Sequence, residues 1–199
     1  DDQISIEEPL EIIIKYKDEN NWVENTISIT MRTPGDDKDL VRGFFFNERV
    51  IEKINYIEKI EESGELVGQY KLRNKVIVTI NNSENIDVDK IKRNFLTNSS
   101  CGVCGKTSLD SLEIIKKDKV TKSIPKIPHK IIMRSPNMLR QNQSEFSKTG
   151  GIHASGLFAA NGDIVAVKED VGRHNALDKL IGYVLDKKLL DTSSQFLTC

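Results

Sequence analysis

Ile152-His153-Ala154-Ser155-Gly156-Leu157-Phe158-Ala159-Ala160-Asn161-Gly162-Asp163-Ile164-Val165-Ala166-Val167-Lys168 holds two apolar runs separated by Asn-Gly. Asn-Gly accepts the positive φ angles of a tight turn, so the stretch reads as a hairpin with strands at about Ile152–Ala160 and Ile164–Lys168. Directly beyond it, the segment from Arg173 to Lys187 places Leu177, Leu180, Ile181, Val184 and Leu185 on one helical stripe. Upstream, Ser135-Pro136 supplies a serine cap and a proline at the first helical position. The helix it opens is expected to run through Phe146 to a glycine stop at Gly150-Gly151.

The alternation of strands and helices continues toward the N-terminus. Leu10–Tyr16 reads as a strand, as does Val23–Arg32, with Ile27, Ile29 and Met31 on one side and Thr33-Pro34-Gly35 as its end. Asp36 or Asp37 caps a helix to about Val50 that buries Leu40, Val41, Phe44 and Phe45. Further strands are expected near Ile54–Ile60 and Val76–Ile80, then a turn at Asn81-Asn82-Ser83 and a short helix from Val88 to Leu96. Residues 116–130, with Pro125 and Pro128, read as a loop or crossover, and Phe196-Leu197-Thr198-Cys199 opens a last strand. Interleaved elements define an α/β fold with a mixed sheet, and no internal repeat is visible. The chain divides into a small β-rich N-terminal α+β part (1–83), a cysteine-bearing connecting segment (84–134) and an incomplete C-terminal α/β part (135–199), together one compact unit. Ending inside a strand leaves ladder partners unmade, so a C-terminally truncated product is expected.

Composition narrows the class. At 199 residues, 38% hydrophobic and 30% charged, the chain supports a core without disulfide or metal staples and excludes collagen-like or disordered sequences. No apolar run approaches the roughly 18 residues of a membrane span, and the acidic start is unlike a signal peptide. Basic and acidic residues number 29 and 30, a balance that argues against nucleic-acid binding. Three cysteines cannot close an even disulfide framework and point to the reducing cytoplasm. The neutral total conceals an acidic stretch over residues 1–24 and a basic one over 116–134. The basic stretch is either a solvated surface or an attraction for an anionic ligand or an acidic partner protein.

Two motifs carry chemistry. Cys101-Gly102-Val103-Cys104-Gly105 is a C-x-x-C flanked by glycines, a spacing used in redox cycling, zinc binding and thiol group transfer. His129, His153 and His174 are the histidines that could complete a zinc site, and a passive pair of thiols is the plain alternative. Group transfer leads, because Lys106 and a helix opened after Cys104 would both favour a thiolate, and the glycines let the backbone approach a partner closely. The second motif is Glu169-Asp170-Val171-Gly172-Arg173-His174-Asn175-Ala176-Leu177-Asp178-Lys179. His174 and Asp178 lie four apart, so the carboxylate could orient the imidazole, while Arg173 and the first-turn amides form an anion site. The alternative is a well-capped helix with ordinary surface charges. A Walker P-loop, a G-x-G-x-x-G and a zinc-deaminase signature are absent.

These two motifs, in order with Glu7-Glu8-Pro9-Leu10-Glu11-Ile12, Thr33-Pro34-Gly35-Asp36-Asp37 and Thr149-Gly150-Gly151-Ile152-His153, resemble the formate dehydrogenase accessory sulfurtransferase family. The resemblance implies a three-layer α/β/α, cytidine-deaminase-like fold and a homodimer. It also implies a sulfur carrier loaded by a cysteine desulfurase, with Cys101 holding a persulfide and Cys104 as the second cysteine of the motif. The sulfur passes to the molybdenum cofactor, bis-molybdopterin guanine dinucleotide, which serves formate dehydrogenase and is bound as substrate with no permanently bound metal. Arg173, His174, His153 and Gly151 are the residues expected to hold it. Family members continue past Cys199 into a region implicated in binding the guanine nucleotide. The competing readings are a cofactor-binding chaperone with incidental thiols and a zinc-dependent hydrolase.

Overall fold

The computed structural model describes residues 3–51, 53–68, 70–81, 86, 125–191 and 194–199. The expected turn at Asn82-Ser83, the helix from Val88 to Leu96, the Cys101–Cys104 motif, the helix after it and residues 116–124 of the basic stretch lie outside them.

Strands β1 (Glu8–Asp18) and β2 (Asn21–Arg32) form an antiparallel hairpin. β1 also pairs in parallel with β4 (Leu72–Ile80), and β4 pairs antiparallel with β3 (Ile57–Val67), giving a mixed sheet of order β2-β1-β4-β3. Helix α1 (Asp37–Asn47) lies on one face, where Leu40, Val41 and Phe45 pack with Leu10, Ile12, Ile14, Val76 and Val78. A second, antiparallel sheet contains β5 (His153–Ala159), β6 (Ile164–Asp170) and β7 (Gln195–Thr198) in the order β6-β5-β7. Helix α4 (Arg173–Asp186) covers one of its faces, through Leu180 and Val184 on Leu157 and Ala166. Helix α2 (His129–Gln141) covers the other, through Leu139 on Ala154 and Phe158, and α3 (Ser144–Thr149) follows it. The C-terminal sheet is therefore the centre of an α/β/α arrangement, as the α/β expectation required.

Hairpin followed by helix occurs twice, and the two helices meet backbone to backbone. A Cβ on Gly43 would lie 1.9 Å from the Asp178 carbonyl oxygen, and one on Gly182 would lie 1.8 Å from that of Asp39. Each glycine thus sits against the residue four before the other, so Asp39-x-x-x-Gly43 and Asp178-x-x-x-Gly182 cross reciprocally. Burial repeats in register: Leu40, Val41, Gly43 and Phe45 in α1 match Lys179, Leu180, Gly182 and Val184 in α4. Only the Asp and the Gly are shared between these segments, which is why the sequence showed no repeat.

Three local readings are corrected. A bulge in β2 opposite Ile12 and Ile13 of β1 switches the parity of the strand. Ile27 is buried, but Ile29 and Met31 emerge on the outer face, about half exposed, while Thr30 and Arg32 turn inward. Ile54–Tyr56 forms a 3₁₀ turn rather than strand, and β3 runs on through Glu61-Glu62-Ser63-Gly64-Glu65, charged because it is a sheet edge. Finally, α2 begins at His129, with Pro136 inside it. Proline cannot donate to the Ile132 carbonyl, and the Ser135 hydroxyl donates to that oxygen instead, at 2.9 Å. The helix does not reach Phe146 unbroken: Asn142 donates its side-chain amide to Met138 O and ends α2. The glycine stop holds, with Gly150 at φ 69° closing α3.

Candidate functional site

The second motif leaves β6 at Asp170 and enters α4 at Arg173, and most of its polar groups turn inward. The Asp170 carboxylate is fully buried and accepts from Lys179 Nζ at 2.7 Å, Gly172 N at 2.9 Å, Thr33 N at 3.1 Å and Asn175 Nδ2 at 3.1 Å. Lys179, equally buried, also donates to the Thr33 carbonyl at 2.8 Å and the Glu169 carbonyl at 3.4 Å. Asn175 further donates to Met31 O and accepts from Thr30 Oγ1. Every member is satisfied, so the cluster locks the start of α4 onto the end of β2 without an unpaired buried charge.

Glu169 works at a distance. Its carboxylate accepts from the Glu145 and Phe146 main-chain N–H groups and from Ser144 Oγ, capping α3 where Gln143 makes no side-chain cap. Asp178 does not orient His174; it accepts from Asn47 Nδ2 of α1 at 2.6 Å. Burial pushes its carboxyl up to about 7, the Asn47 bond opposes this, and the charges of Glu48 and Asp170 add to the rise.

What remains for solvent is Arg173 and His174. Both are exposed and neither has a side-chain partner among the described residues. The Val171 N–H is taken by Thr33 Oγ1 at 3.0 Å and the Gly172 N–H by Asp170, while the next main-chain N–H groups open α4. His153, also exposed, stands opposite Asp170 in the β5–β6 register, and exposed Gly151 lies two residues before it. The topology therefore gathers Gly151, His153, Arg173 and His174 at one end of the three-stranded sheet. Cys101 and Cys104 lie outside the described residues. Cys199 follows β7, where its Sγ accepts from the buried Ser155 hydroxyl at 3.2 Å.

The charge at this end has an unusual sign. Helix N-termini favour acids, yet the first turn of α4 has none and carries two groups able to hold positive charge. A cation there weakens the isolated helix and suits an external anion. Sequence reasoning named the solvent-facing pair but missed Thr33 and Asn175 and the burial of Asp170 with Lys179. The available signal was Lys179 itself, one residue before Leu180 on the packed stripe of α4.

Comparison with known proteins adds to this geometry. A match to the FdhD/NarQ family covers residues 5–199. The sulfur carrier protein FdhD of Picrophilus torridus is 41% identical over 189 residues, covering 94% of this chain and 66% of the relative. The sulfur carrier protein FdhD of Sulfurisphaera tokodaii is 37% identical over 194 residues, covering 98% and 67%. A crystal structure described as a formate dehydrogenase accessory protein from Desulfotalea psychrophila shares the fold at a TM-score of 0.60 and 21% identity, over all of this chain and 66% of that one. The chain spans about two thirds of the length of the curated relatives it matches. No helix among the described residues is long and apolar enough to cross a membrane.

Proposed function

The chain belongs to the FdhD/NarQ family, and from that premise we propose that it carries sulfur for the maturation of a formate dehydrogenase in the cytoplasm. Cys101 is the carrier. Its thiolate attacks the outer sulfur of a persulfide on a cysteine desulfurase, an S–S bond forms at Cys101 and the desulfurase thiolate leaves. The terminal sulfur then passes as sulfide to the molybdenum cofactor, bound as substrate through the anionic part of its guanine dinucleotides. In the same step the Cys104 thiolate attacks the inner sulfur, supplies the two electrons and closes a Cys101–Cys104 disulfide. Arg173 and His174, with His153 and Gly151 beside them, receive that anion, and two copies of the protein act as a dimer. The observation that carries the reading is the family match across residues 5–199, which includes the Cys101–Cys104 motif. The cationic start of α4 supports the binding half of it.

The test is intact mass after incubation with a cysteine desulfurase and cysteine. We expect an adduct of about 32 Da, the mass of one sulfur, that disappears in Cys101→Ala. An adduct that survives the substitution, or never forms, overturns the carrier role of Cys101. Retained cofactor binding in that event would make the protein a cofactor chaperone.

A further inference from the structure

We propose that Thr33, which lies outside the motif it serves, is a positioning residue for the anion-binding turn at Arg173 and His174; the inference rests on the binding role proposed above. Thr33 belongs to the connection between β2 and α1, yet it is held to the β6–α4 turn by three bonds. Its N–H donates to Asp170 Oδ2 at 3.1 Å, its carbonyl accepts from Lys179 Nζ at 2.8 Å, and its hydroxyl accepts from the Val171 N–H at 3.0 Å. The first two fix Thr33 against a buried ion pair that cannot shift without stranding a charge. The third transmits that fixity to the backbone two residues before Arg173.

The other constraints on this turn agree. Gly172 brings its backbone so close that a Cβ would lie 3.0 Å from Asn175 Nδ2, and its N–H donates to Asp170. The Val171 and Gly172 amides are thereby turned inward, and the following N–H groups and side chains are left for the ligand. A loose turn would present the same residues, but each bound anion would have to order it first. Holding it in place in advance removes that cost from binding. The hydroxyl of Thr33 is the one link that can be removed without touching a charge.

Inorganic pyrophosphate serves as the probe, because the region that the family resemblance assigns to the guanine lies past Cys199. Affinity is measured by calorimetry on the 199-residue chain, with Tm measured alongside. We expect Arg173→Ala to lose binding at a Tm equal to or slightly above that of the wild type. Thr33→Val, isosteric but unable to accept from Val171, should weaken affinity about fivefold, as loss of one hydrogen bond would. Thr33→Ser keeps the hydroxyl and should bind as the wild type does. If the wild type fails to bind, or Arg173→Ala binds equally well, the ligand reading itself is overturned. If Arg173→Ala loses binding while Thr33→Val keeps wild-type affinity, the positioning role alone is overturned. It also falls if Thr33→Ser loses as much affinity as Thr33→Val, which would mark a packing effect.

Discussion

The two hairpin–helix units share a scaffold but finish the junction between strand and helix in opposite ways. In the first, Arg32 and Asp37 form a bidentate pair, both bonds at 2.9 Å, and α1 starts with Asp37 and Asp39 in its first turn. Asp36 and Asp39 are further paired with Lys168 at 2.9 and 3.1 Å. This junction is closed: its acids suit the helix dipole and have partners within the chain. In the second, Asp170 and Lys179 are paired underneath, and Arg173 and His174 face water above a helix start of the same polarity. One architecture thus yields a self-satisfied joint and an open one, and the difference lies in the sign of a few side chains together with the cap backbone, left-handed at Asp36 and extended at Gly172.

The largest expected effect tests the pairs beneath the junctions. Arg32→Met should cost about 3–5 kcal/mol in urea unfolding, by stranding Asp37, and Arg32→Met/Asp37→Leu should recover most of it. Lys179→Met should cost less, because Asp170 keeps three N–H donors; an equal cost would mean that the two junctions are alike after all. Next come the crossing glycines. Gly43→Ala and Gly182→Ala each push a methyl into a backbone carbonyl and should cost about 1–3 kcal/mol or more. The two losses should be similar, and a strongly unequal pair would break the reciprocity of the crossing.

A smaller effect separates the matching aspartates. Folded Asp178 keeps its proton up to about pH 7, whereas the unfolded chain releases it near the ordinary carboxylate value. Stability from this group therefore falls as pH rises from about 4 to about 7. Asp178→Asn should raise Tm strongly near pH 8, less near pH 5, and leave it almost unchanged near pH 3, below the unfolded value. Asp39→Asn should lower Tm near pH 8, since Asp39 is paired with Lys168 and Arg42. The smallest effect concerns the open junction: Arg173→Glu places the favoured charge at the start of α4 and should add about 0.3–1 kcal/mol of stability while abolishing anion binding. A loss of stability would show that Arg173 has a structural role of its own.

How much was legible follows from the range of the interactions. The β5–β6 hairpin, the glycine stop at Gly150 and the packed residues of α1 rest on local signals, and the sequence reading located them. The bulge that turns Ile29 and Met31 outward depends on pairing with β1, which no pattern within β2 announces. Edge strand β3 was cut short because its charges resemble a loop. At the site, spacing brought His174 and Asp178 to one helix face, but Asp178 turned to Asn47 on another helix. Asp170 and Lys179 read as surface charges, because the Thr33 main chain to which both are hydrogen-bonded lies more than a hundred residues upstream. Gly151, His153, Arg173 and His174 do converge on one end of a sheet, since a hairpin and its following helix are contiguous in the chain.

Ser135 and Pro136 impose an order on change. While proline stands at 136, loss of the Ser135 hydroxyl leaves the Ile132 carbonyl without its donor. Once Pro136 becomes alanine, the helix recovers its own N–H and position 135 is released from that duty. A lineage can therefore lose the proline first and the serine later at little penalty, whereas the reverse route passes through a weaker intermediate. Sequences keeping Pro136 should keep a hydroxyl beside it.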